Sequence, residues 1–508
     1  MLKTRLVYIL LVLPFFYLYS QENNNLNIPK LTQRGFAEMS YLSVKMPSDE
    51  QNLGLAGVNF NLFLNDWAYV GLGMYAAVHG DRGGLFTLNV NAGIKKDLFS
   101  NIYLNTGLHF GGGGGANAPD GGGAYILAYL NLGYQFSKFS IETGYSYINF
   151  FNNGNIKGHQ LNLALQVPLS YNYASFKHSE KELKIDESIY NSDWYQQSNQ
   201  ISVLLHFNNL YLLDTEEVLI GETIRTAGLE LNSYFKKNTF LFIKADGAYS
   251  GIPAGYMDVI LGLGHQLTFN KGRTKALGKF GIGAAGGGGV DTQGGFVIYP
   301  NISLEQKIFR SYFLSFDTGL LMSPNVKFLA WSYGIGFKYY VNLNTLKSSD
   351  ENTFTSAKFK GMEAIVGQEI YFDANRIFDE TQDLQQIFLQ LNFYLIKNIY
   401  VSGQTSFANF GNAGAYAEGL LGIGVSTFSG FSNRIQLFAQ TLIGAAGGSG
   451  VATGEGLIVK PSIGVSLLLN DKLGIRTSFG QVISIDGELN STLINLGLNY
   501  RISMLKAK

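Results

Sequence analysis

The sequence has no cysteine, and only 15% of its 508 residues are charged. Without cysteine the chain forms no disulfide framework and carries no lipid-anchored cysteine. Its 37 basic residues balance its 37 acidic ones, and no basic stripe interleaved with aromatic residues is present, which excludes nucleic acid as a partner. Beyond the N-terminal region, no segment has the roughly 20 continuous apolar residues that a membrane-spanning helix needs.

Glycine and aromatic residues are abundant instead, with 62 Gly, 30 Tyr and 37 Phe. This composition is unusual for a soluble enzyme of this length and suits a β-rich membrane protein. At the N-terminus, Lys3 and Arg5 precede an apolar run over residues 6–19 and then a polar segment. This order predicts a secretory signal peptide over residues 1–20.

A glycine-rich stretch occurs three times, beginning at Gly111, Gly286 and Gly447. Another glycine follows each start by 33 residues, at positions 144, 319 and 480. Repetition at such a period indicates one supersecondary unit copied three times. The predicted organisation is a signal peptide (1–20), repeat 1 (21–175), a periplasmic linker (176–197), repeat 2 (198–342), a second linker (343–355) and repeat 3 (356–508).

Repeat 1 reads as eight strands with alternating apolar and polar residues. They cover approximately residues 35–46, 55–64, 67–78, 85–99, 102–111, 124–136, 139–150 and 159–173. Each is long enough for a tilted strand that crosses a bilayer. Short turns alternate with long polar loops, as in outer-membrane barrels with periplasmic turns and extracellular loops. The same count in all repeats predicts an all-β, transmembrane, antiparallel up-and-down β-barrel of about 24 strands.

The alternation also assigns side chains to faces. In the seventh strand of repeat 1, Ile141 and Tyr145 should face lipid and Glu142 the interior. Asp317 takes the equivalent inward position in repeat 2, and His109 and Lys279 should also point inward. Because an unpaired buried charge is costly, we expect His109 to pair with Glu142 and Lys279 with Asp317.

The repeats end on the segments LSYNY (169–173), GFKYY (336–340) and GLNYRI (497–502). These segments resemble the aromatic terminal strand that the barrel-insertion machinery recognises, although SMLKAK follows the last one. The chain is thus similar to Gram-negative outer-membrane β-barrel proteins, and each repeat resembles the small eight-stranded barrels of the OmpX and OmpA type. The resemblance implies location in the cell outer membrane, with outer-membrane lipid and envelope proteins as partners.

Two arrangements of about 24 strands remain open. They could close as one wide barrel around a lumen, or as three eight-stranded barrels filled by side chains. A continuous barrel needs only short periplasmic turns, so the two long linkers favour separate units. Duplicated hairpins can, however, simply enlarge a barrel. We prefer three small barrels and keep the single wide barrel as the alternative.

Several motifs suggest chemistry but fit simpler roles. GGGGVD at residues 286–291 matches the start of a calcium-binding nonapeptide, yet it occurs once, and we interpret it as a hairpin loop. His79 lies beside Asp81 in a polar loop, and none of the six histidines forms a recognisable catalytic signature. The acidic segment 373–383 is interpreted as a solvated loop rather than a cation site.

The sequence therefore predicts no catalytic, metal-binding or cofactor-binding residues, no cofactor and no enzyme activity. The predicted function is structural or interactive: the protein displays extracellular loops or scaffolds an envelope complex. A passive pore or transporter component formed by a single wide barrel is the first alternative. An outer-membrane enzyme acting on lipid or peptide is the second.

Overall fold

The computed structural model describes residues 28–184, 199–215, 217–252, 254–343, 356–427 and 434–507. The predicted signal peptide lies outside the described residues, as do most of the two predicted linkers. The described part of the chain consists of 25 strands and three short 3₁₀ turns. No helix within it is long and apolar enough to cross a membrane.

The strands fall into three groups, which we call units 1, 2 and 3. Unit 1 comprises β1 (Leu31–Val44), β2 (Leu53–Phe63), β3 (Ala68–His79), β4 (Phe86–Phe99), β5 (Ile102–Gly114), β6 (Tyr125–Gln135), β7 (Ser140–Phe150) and β8 (Lys157–Ser175). A short strand, β9 (Glu182–Lys184), follows.

Unit 2 comprises β10 (Asn199–Asp214), β11 (Thr223–Lys236), β12 (Thr239–Ser250), β13 (Met257–Phe269), β14 (Thr274–Gly286), β15 (Phe296–Phe309), β16 (Tyr312–Ser323) and β17 (Phe328–Leu343). Unit 3 comprises β18 (Ser356–Ala374), β19 (Gln382–Ile396), β20 (Ile399–Phe410), β21 (Ala417–Ser426), β22 (Ile435–Gly447), β23 (Leu457–Leu468), β24 (Leu473–Ser484) and β25 (Asn490–Ala507).

Within each unit every strand pairs antiparallel with the next, and the first strand also pairs with the last. These closing pairs are β1 with β8, β10 with β17 and β18 with β25. Closure removes the exposed sheet edges, because each edge strand finds a partner. A few bridges, such as Ile502 with Ser175 and Leu343 with Lys506, join the units into one hydrogen-bonded sheet. The predicted all-β antiparallel barrel fold is confirmed.

The strands alternate between an apolar outer face and a polar inner face. In β7, Ile141 and Tyr145 are 42% and 52% exposed, whereas Glu142 is fully buried. In β16, Phe316 is exposed and Asp317 is buried. Both assignments agree with the sequence pattern.

Connections differ at the two ends of the units. Tight turns join β2 to β3, β4 to β5 and β6 to β7, and we call this end and its equivalents in units 2 and 3 the turn side. The opposite end carries the longer connections, including the glycine-rich segments, and we call it the loop side.

Some outward side chains are buried between the units instead of facing lipid. Unit 1 contributes Ala76, Phe86 and Leu88, unit 2 contributes Ala284, and unit 3 contributes Ile387 and Phe407. All six are at least nine-tenths buried in one contiguous cluster. This central seam packs the three units side by side.

The first predicted linker begins with structure rather than a plain polar coil. Phe176 lies in a short 3₁₀ turn, with its ring centroid 5.2 Å from that of Tyr394 in unit 3 and 3.8 Å from the Arg501 guanidinium. Glu180 accepts from Lys358 and Lys360 at 2.7 Å each, and β9 pairs with the start of β18. Residues 176–184, the linker strap, therefore tie the end of unit 1 to unit 3. β9 also explains why 25 strands are found where about 24 were expected.

Candidate functional site

The interior of unit 2 holds charged side chains that neutralise one another. Lys279 Nζ lies 2.8 Å from Glu230 and 3.3 Å from Asp317, and Lys338 Nζ lies 2.7 Å from Glu305. Their side chains are at most 3% exposed. The predicted Lys279–Asp317 pair is present, although Glu230, which the sequence analysis did not single out, is the closer partner.

A second network in unit 2 contains a histidine and a carboxylate in contact. His206 Nε2 lies 2.6 Å from Asp246, and Lys244 Nζ lies 2.7 Å from both Asp246 and Asp258. These four side chains are at most 2% exposed. The histidine thus lies in a buried cluster in which Lys244 compensates the charge of the two carboxylates.

In unit 1 the predicted pairing of His109 with Glu142 is wrong. Glu142 accepts hydrogen bonds from Asn105 at 2.9 Å and from Asn131 at 3.1 Å, while His109 Nδ1 lies 2.9 Å from the Asn89 side-chain oxygen. His109 and Asn105 are four residues apart on β5, which is about 13 Å along a strand. Glu142 is level with Asn105, so His109 points into a different layer of the interior.

The interior of unit 3 also holds buried charges that are paired, but with different residues from those of unit 2. Lys460 Nζ lies 2.7 Å from Glu369 and 2.9 Å from Glu418, and Arg501 lies 2.9 Å from Glu363. The Tyr371 and Tyr416 hydroxyls donate to Glu418 at 2.5 and 2.8 Å; like the charged groups, these tyrosines are buried. An eight-stranded barrel has an interior just wide enough for side chains to fill. The described interiors of the three units are likewise filled by buried side chains.

Two surface grooves, of about 690 and 730 Å³, lie on the outer walls of units 2 and 3. The first is lined by apolar side chains that include Leu263, Phe280, Ile302 and Trp331. These side chains are exposed on the face that the alternation assigns to lipid. The grooves belong to the lipid-facing surface and not to the interiors.

The glycine-rich segment of unit 2 docks on a hairpin tip of unit 1. The Gly83 amide donates a hydrogen bond of 2.6 Å to the Gln293 carbonyl oxygen. A Cβ atom at Gly84 would lie 2.6 Å from the Gly287 nitrogen, and one at Gly286 would lie 2.7 Å from the Gly84 nitrogen. Glycine is required here because the two backbones touch.

The other two glycine-rich segments make equivalent contacts. A Cβ at Gly112 in unit 1 would lie 2.5 Å from the Ala408 oxygen of unit 3, and the Gly414 amide donates to the Gly121 oxygen at 3.2 Å. A Cβ at Gly447 in unit 3 would lie 2.6 Å from the Gly255 nitrogen of unit 2. Each unit thus gives a loop to one neighbour and a hairpin tip to the other. We call the three contacts the glycine junctions.

One buried acid lies at the junction between units 1 and 3. Asp120 Oδ2 accepts a hydrogen bond from the Gly115 amide at 2.8 Å, and the residue is 7% exposed. A Cβ at Gly414 would lie 2.7 Å from its Oδ1. Burial raises the pKa of Asp120 to about 7, with opposing contributions from the Gly115 amide and the Arg82 charge. The carboxyl is thus poised to change charge near neutral pH.

The remaining sequence candidates lie in loops. In the segment 286–291, the Val290 amide donates to the Gly287 oxygen at 3.1 Å, so it forms a tight turn, and Asp291 is exposed. His79 ends β3, and Asp81 is exposed in the loop after it. Among the described residues no group of three or more His, Asp or Glu side chains is arranged to hold a metal ion.

Sequence reasoning missed the glycine junctions, although a signal was present. A second, smaller glycine cluster precedes each glycine-rich segment, at residues 80–84, 251–255 and 411–414. These clusters form the hairpin tips that receive the loops. Two glycine clusters in each repeat would have suggested a pair of backbones in contact.

No family model matches the chain, and no curated protein matches it. Solved structures that align with it include OccK11 (OpdR) from Pseudomonas aeruginosa, with 10% identity, coverage of 93% of this chain and 96% of that one, and a TM-score of 0.22. The siderophore receptor PirA from Pseudomonas aeruginosa aligns with 8% identity over 92% of this chain and 80% of that one, with a TM-score of 0.27. The FrpB iron transporter from Neisseria meningitidis aligns with 8% identity over 92% of this chain and 82% of that one, with a TM-score of 0.29. Likeness at these scores carries no argument about function.

The location follows from the architecture. Closed antiparallel barrels satisfy every backbone group internally, and an apolar outer face with a polar interior is the pattern of outer-membrane barrels. The chain is an integral β-barrel protein of the outer membrane.

Proposed function

We propose that the protein is a non-conducting outer-membrane platform made of three homologous eight-strand barrels. The barrels are held together on the loop side and present their loops to the exterior, for binding or for scaffolding an envelope complex. The observation that carries the proposal is the filling of the interiors by paired charges and aromatic side chains.

The buried charges support a packed interior. Lys279, Lys338 and Lys460 each lie within 2.8 Å of a carboxylate, with side chains at most 2% exposed. A water-filled channel would hydrate such groups, and they would not need partners at this distance. We also propose that the protein is not an enzyme, since the His206–Asp246 contact is shielded from solvent on all sides.

The loop side supports the binding role. In the loop between β18 and β19, Ile377 is 58% and Phe378 89% exposed, and Asp379 and Glu380 follow directly. In the equivalent loop of unit 2, Val218 is 88% exposed. Large apolar side chains displayed at loop tips are typical of interaction surfaces, where an aromatic anchor fills a pocket of the partner.

A passive pore or transporter component is the alternative function. The FrpB iron transporter with which the chain aligns belongs to this class by name. It requires a continuous hydrated path through at least one unit or through one wide barrel. The two functions therefore differ in ion conductance.

Conductance of the purified, refolded chain in a planar bilayer tests the proposal, with heat-modifiable gel migration to verify folding. We expect a folded protein with little or no conductance, and large stable openings would overturn the proposal. In a matched variant, Tyr69→Ala with Tyr129→Ala removes two buried tyrosines whose hydroxyls meet inside unit 1. This variant should admit ions.

The control variant, Tyr41→Ala with Tyr145→Ala, removes two tyrosines from the outer face, which are 42% and 52% exposed. It should show as little conductance as the parent chain. Absence of conductance in the interior variant as well would contradict the role of Tyr69 and Tyr129 in blocking the path.

A further inference from the structure

The turn side of unit 2 carries a concentration of positive charge. Three adjacent turns, between β11 and β12, β13 and β14, and β15 and β16, present five exposed basic residues: Lys236, Lys271, Arg273, Lys307 and Arg310. We call this set the basic rim. The local sequence pattern does not reveal it, because its members are up to 74 residues apart and meet only through the pairing of β12 to β15.

No exposed carboxylate accompanies the basic rim within the described turn residues 235–238, 269–274 and 306–312. The adjacent Glu305 is fully buried and accepts from Lys338 at 2.7 Å inside the barrel. Its charge is therefore already neutralised. Within the described turns, the five rim residues carry positive charge that an external anion can compensate.

Aromatic side chains place the basic rim at the membrane surface. Phe235, Phe269 and Phe309 are half exposed beside the rim, and Phe309 stacks on Tyr312 at 5.1 Å between ring centroids. Girdles of aromatic residues mark the level of lipid headgroups in membrane barrels. The basic side chains next to them are consequently at headgroup depth.

Exposed charges are of mixed sign at the loop side of unit 2 and at the turn side of unit 1. At the loop side of unit 2, Glu217, Glu222 and Asp291 are exposed. In unit 1 the turn-side charges are mixed: Arg34 pairs with Asp66 at 2.5 Å, and Lys96 is followed by Asp97.

We propose that the basic rim binds the phosphate-bearing headgroups of anionic phospholipids in the leaflet that the turns face. Basic residues near a membrane surface attract anionic lipid, each by about fivefold in affinity. Binding would concentrate anionic lipid around unit 2 and fix the depth of the platform. This proposal rests on the membrane-spanning arrangement and not on the non-conducting interior, so the two can fail separately.

Lipid selectivity of the full chain tests the proposal. The chain is placed in nanodiscs of phosphatidylcholine with a minority of phosphatidylglycerol, and native mass spectrometry measures the retained lipid. We expect phosphatidylglycerol to be enriched over its bulk fraction. A variant with Lys271→Gln, Arg273→Gln, Lys307→Gln and Arg310→Gln should lose that enrichment at least tenfold, since four attractive charges are removed.

A control variant, Arg225→Gln with Lys327→Gln, removes exposed basic residues from the loop side of the same unit and should retain full enrichment. Equal retention of both lipids by the parent chain would overturn the proposal. So would displacement of the lipid by inorganic phosphate, because the rim would then bind free phosphate. Heat-modifiable migration verifies that each variant is folded, and conductance in the same preparation reports on the proposed function independently.

Discussion

The Gly83 amide of unit 1 donates a hydrogen bond of 2.6 Å to the Gln293 carbonyl oxygen of unit 2. These residues are 210 positions apart in sequence, and the contact joins units 1 and 2 through their backbones. Side chains contribute little at this point, because glycine lines both surfaces. The stability of the contact consequently depends on the absence of side chains.

Replacement Gly84→Ala should open the junction between units 1 and 2. The added Cβ would lie 2.6 Å from the Gly287 nitrogen, and the backbone φ of +95° is unfavourable for alanine. We expect a loss of about 1–3 kcal/mol, measured as a lower unfolding midpoint in urea. Gly278→Ala is the matched control, since nothing lies within 4 Å of a Cβ there. Equal losses in both variants would contradict this account.

The junction between units 1 and 3 should weaken as the pH rises from about 4 to 7. Burial raises the pKa of Asp120 from 3.8 to about 7, so the packed state favours the protonated carboxyl. Its stabilising contribution is full below the unfolded pKa and is lost as the pH passes the folded one. The difference is at most about 4 kcal/mol at 1.36 kcal/mol per pKa unit.

A cysteine pair can measure this opening, since the chain has no other cysteine. The side chains of Asn153 and Asn412 are exposed and 3.3 Å apart across the junction, so the disulfide yield of Asn153→Cys with Asn412→Cys after brief oxidation reports how often the junction is closed. This yield should fall as the pH rises from about 4 to 7, against the intrinsic increase in thiol reactivity. Asp120→Asn should remove the fall, whereas Asp81→Asn, at an exposed loop position, should not. A fall that persists in Asp120→Asn would assign it to another group.

Replacement Lys460→Met should destabilise unit 3 by about 3–5 kcal/mol, because it leaves Glu369 and Glu418 buried without their shared cation. Unfolding by urea in detergent micelles measures the loss. Adding Glu369→Gln and Glu418→Gln should recover a substantial part of it. Lys138→Met, at an exposed turn, is the control and should have little effect. Failure of the glutamine substitutions to rescue stability would mean that lost packing, not charge, dominates.

Replacement Phe176→Ala should release the linker strap from unit 3. The ring packs against Tyr394 and the Arg501 guanidinium, and no other aromatic side chain of the strap replaces these contacts. Trypsin should then cleave faster after Lys177 and Lys181, while the barrels stay intact on a heat-modifiable gel. Phe139→Ala, which removes an exposed turn-side ring, should leave the cleavage rate unchanged. Unchanged cleavage in Phe176→Ala would show that β9 and Glu180 hold the strap by themselves.

The fold was accessible from sequence because alternation is a local signal. Side chains on a strand alternate between its two faces, so Ile141 and Tyr145 lie on one face and Glu142 on the other. This alternation alone assigns their faces. A unit can close once it has enough strands for its first and last strands to meet. The predicted bounds of the eight strands of repeat 1 lie within a few residues of the observed ones.

Contacts between layers and between units were not accessible. Local pattern places His109 inside the barrel but does not give its height, which depends on the register of β5 with β4 and β6. Phe86 and Phe407 alternate as lipid-facing residues should, yet they lie in the central seam. Both cases depend on how distant strands are placed, and one alternating pattern is compatible with several placements.

The central seam has an energetic consequence for the assembled molecule. Within a bilayer, moving an apolar side chain from lipid to the seam gains almost no hydrophobic free energy, because acyl chains are as apolar as Phe86 or Phe407. The free energy that holds the units together must then come from close packing and from polar contacts at the loop side and the turn side. The seam therefore allows the units to lie side by side, and the glycine junctions hold them together at the loop side. Loss of these junctions would let lipid enter between units that each remain folded.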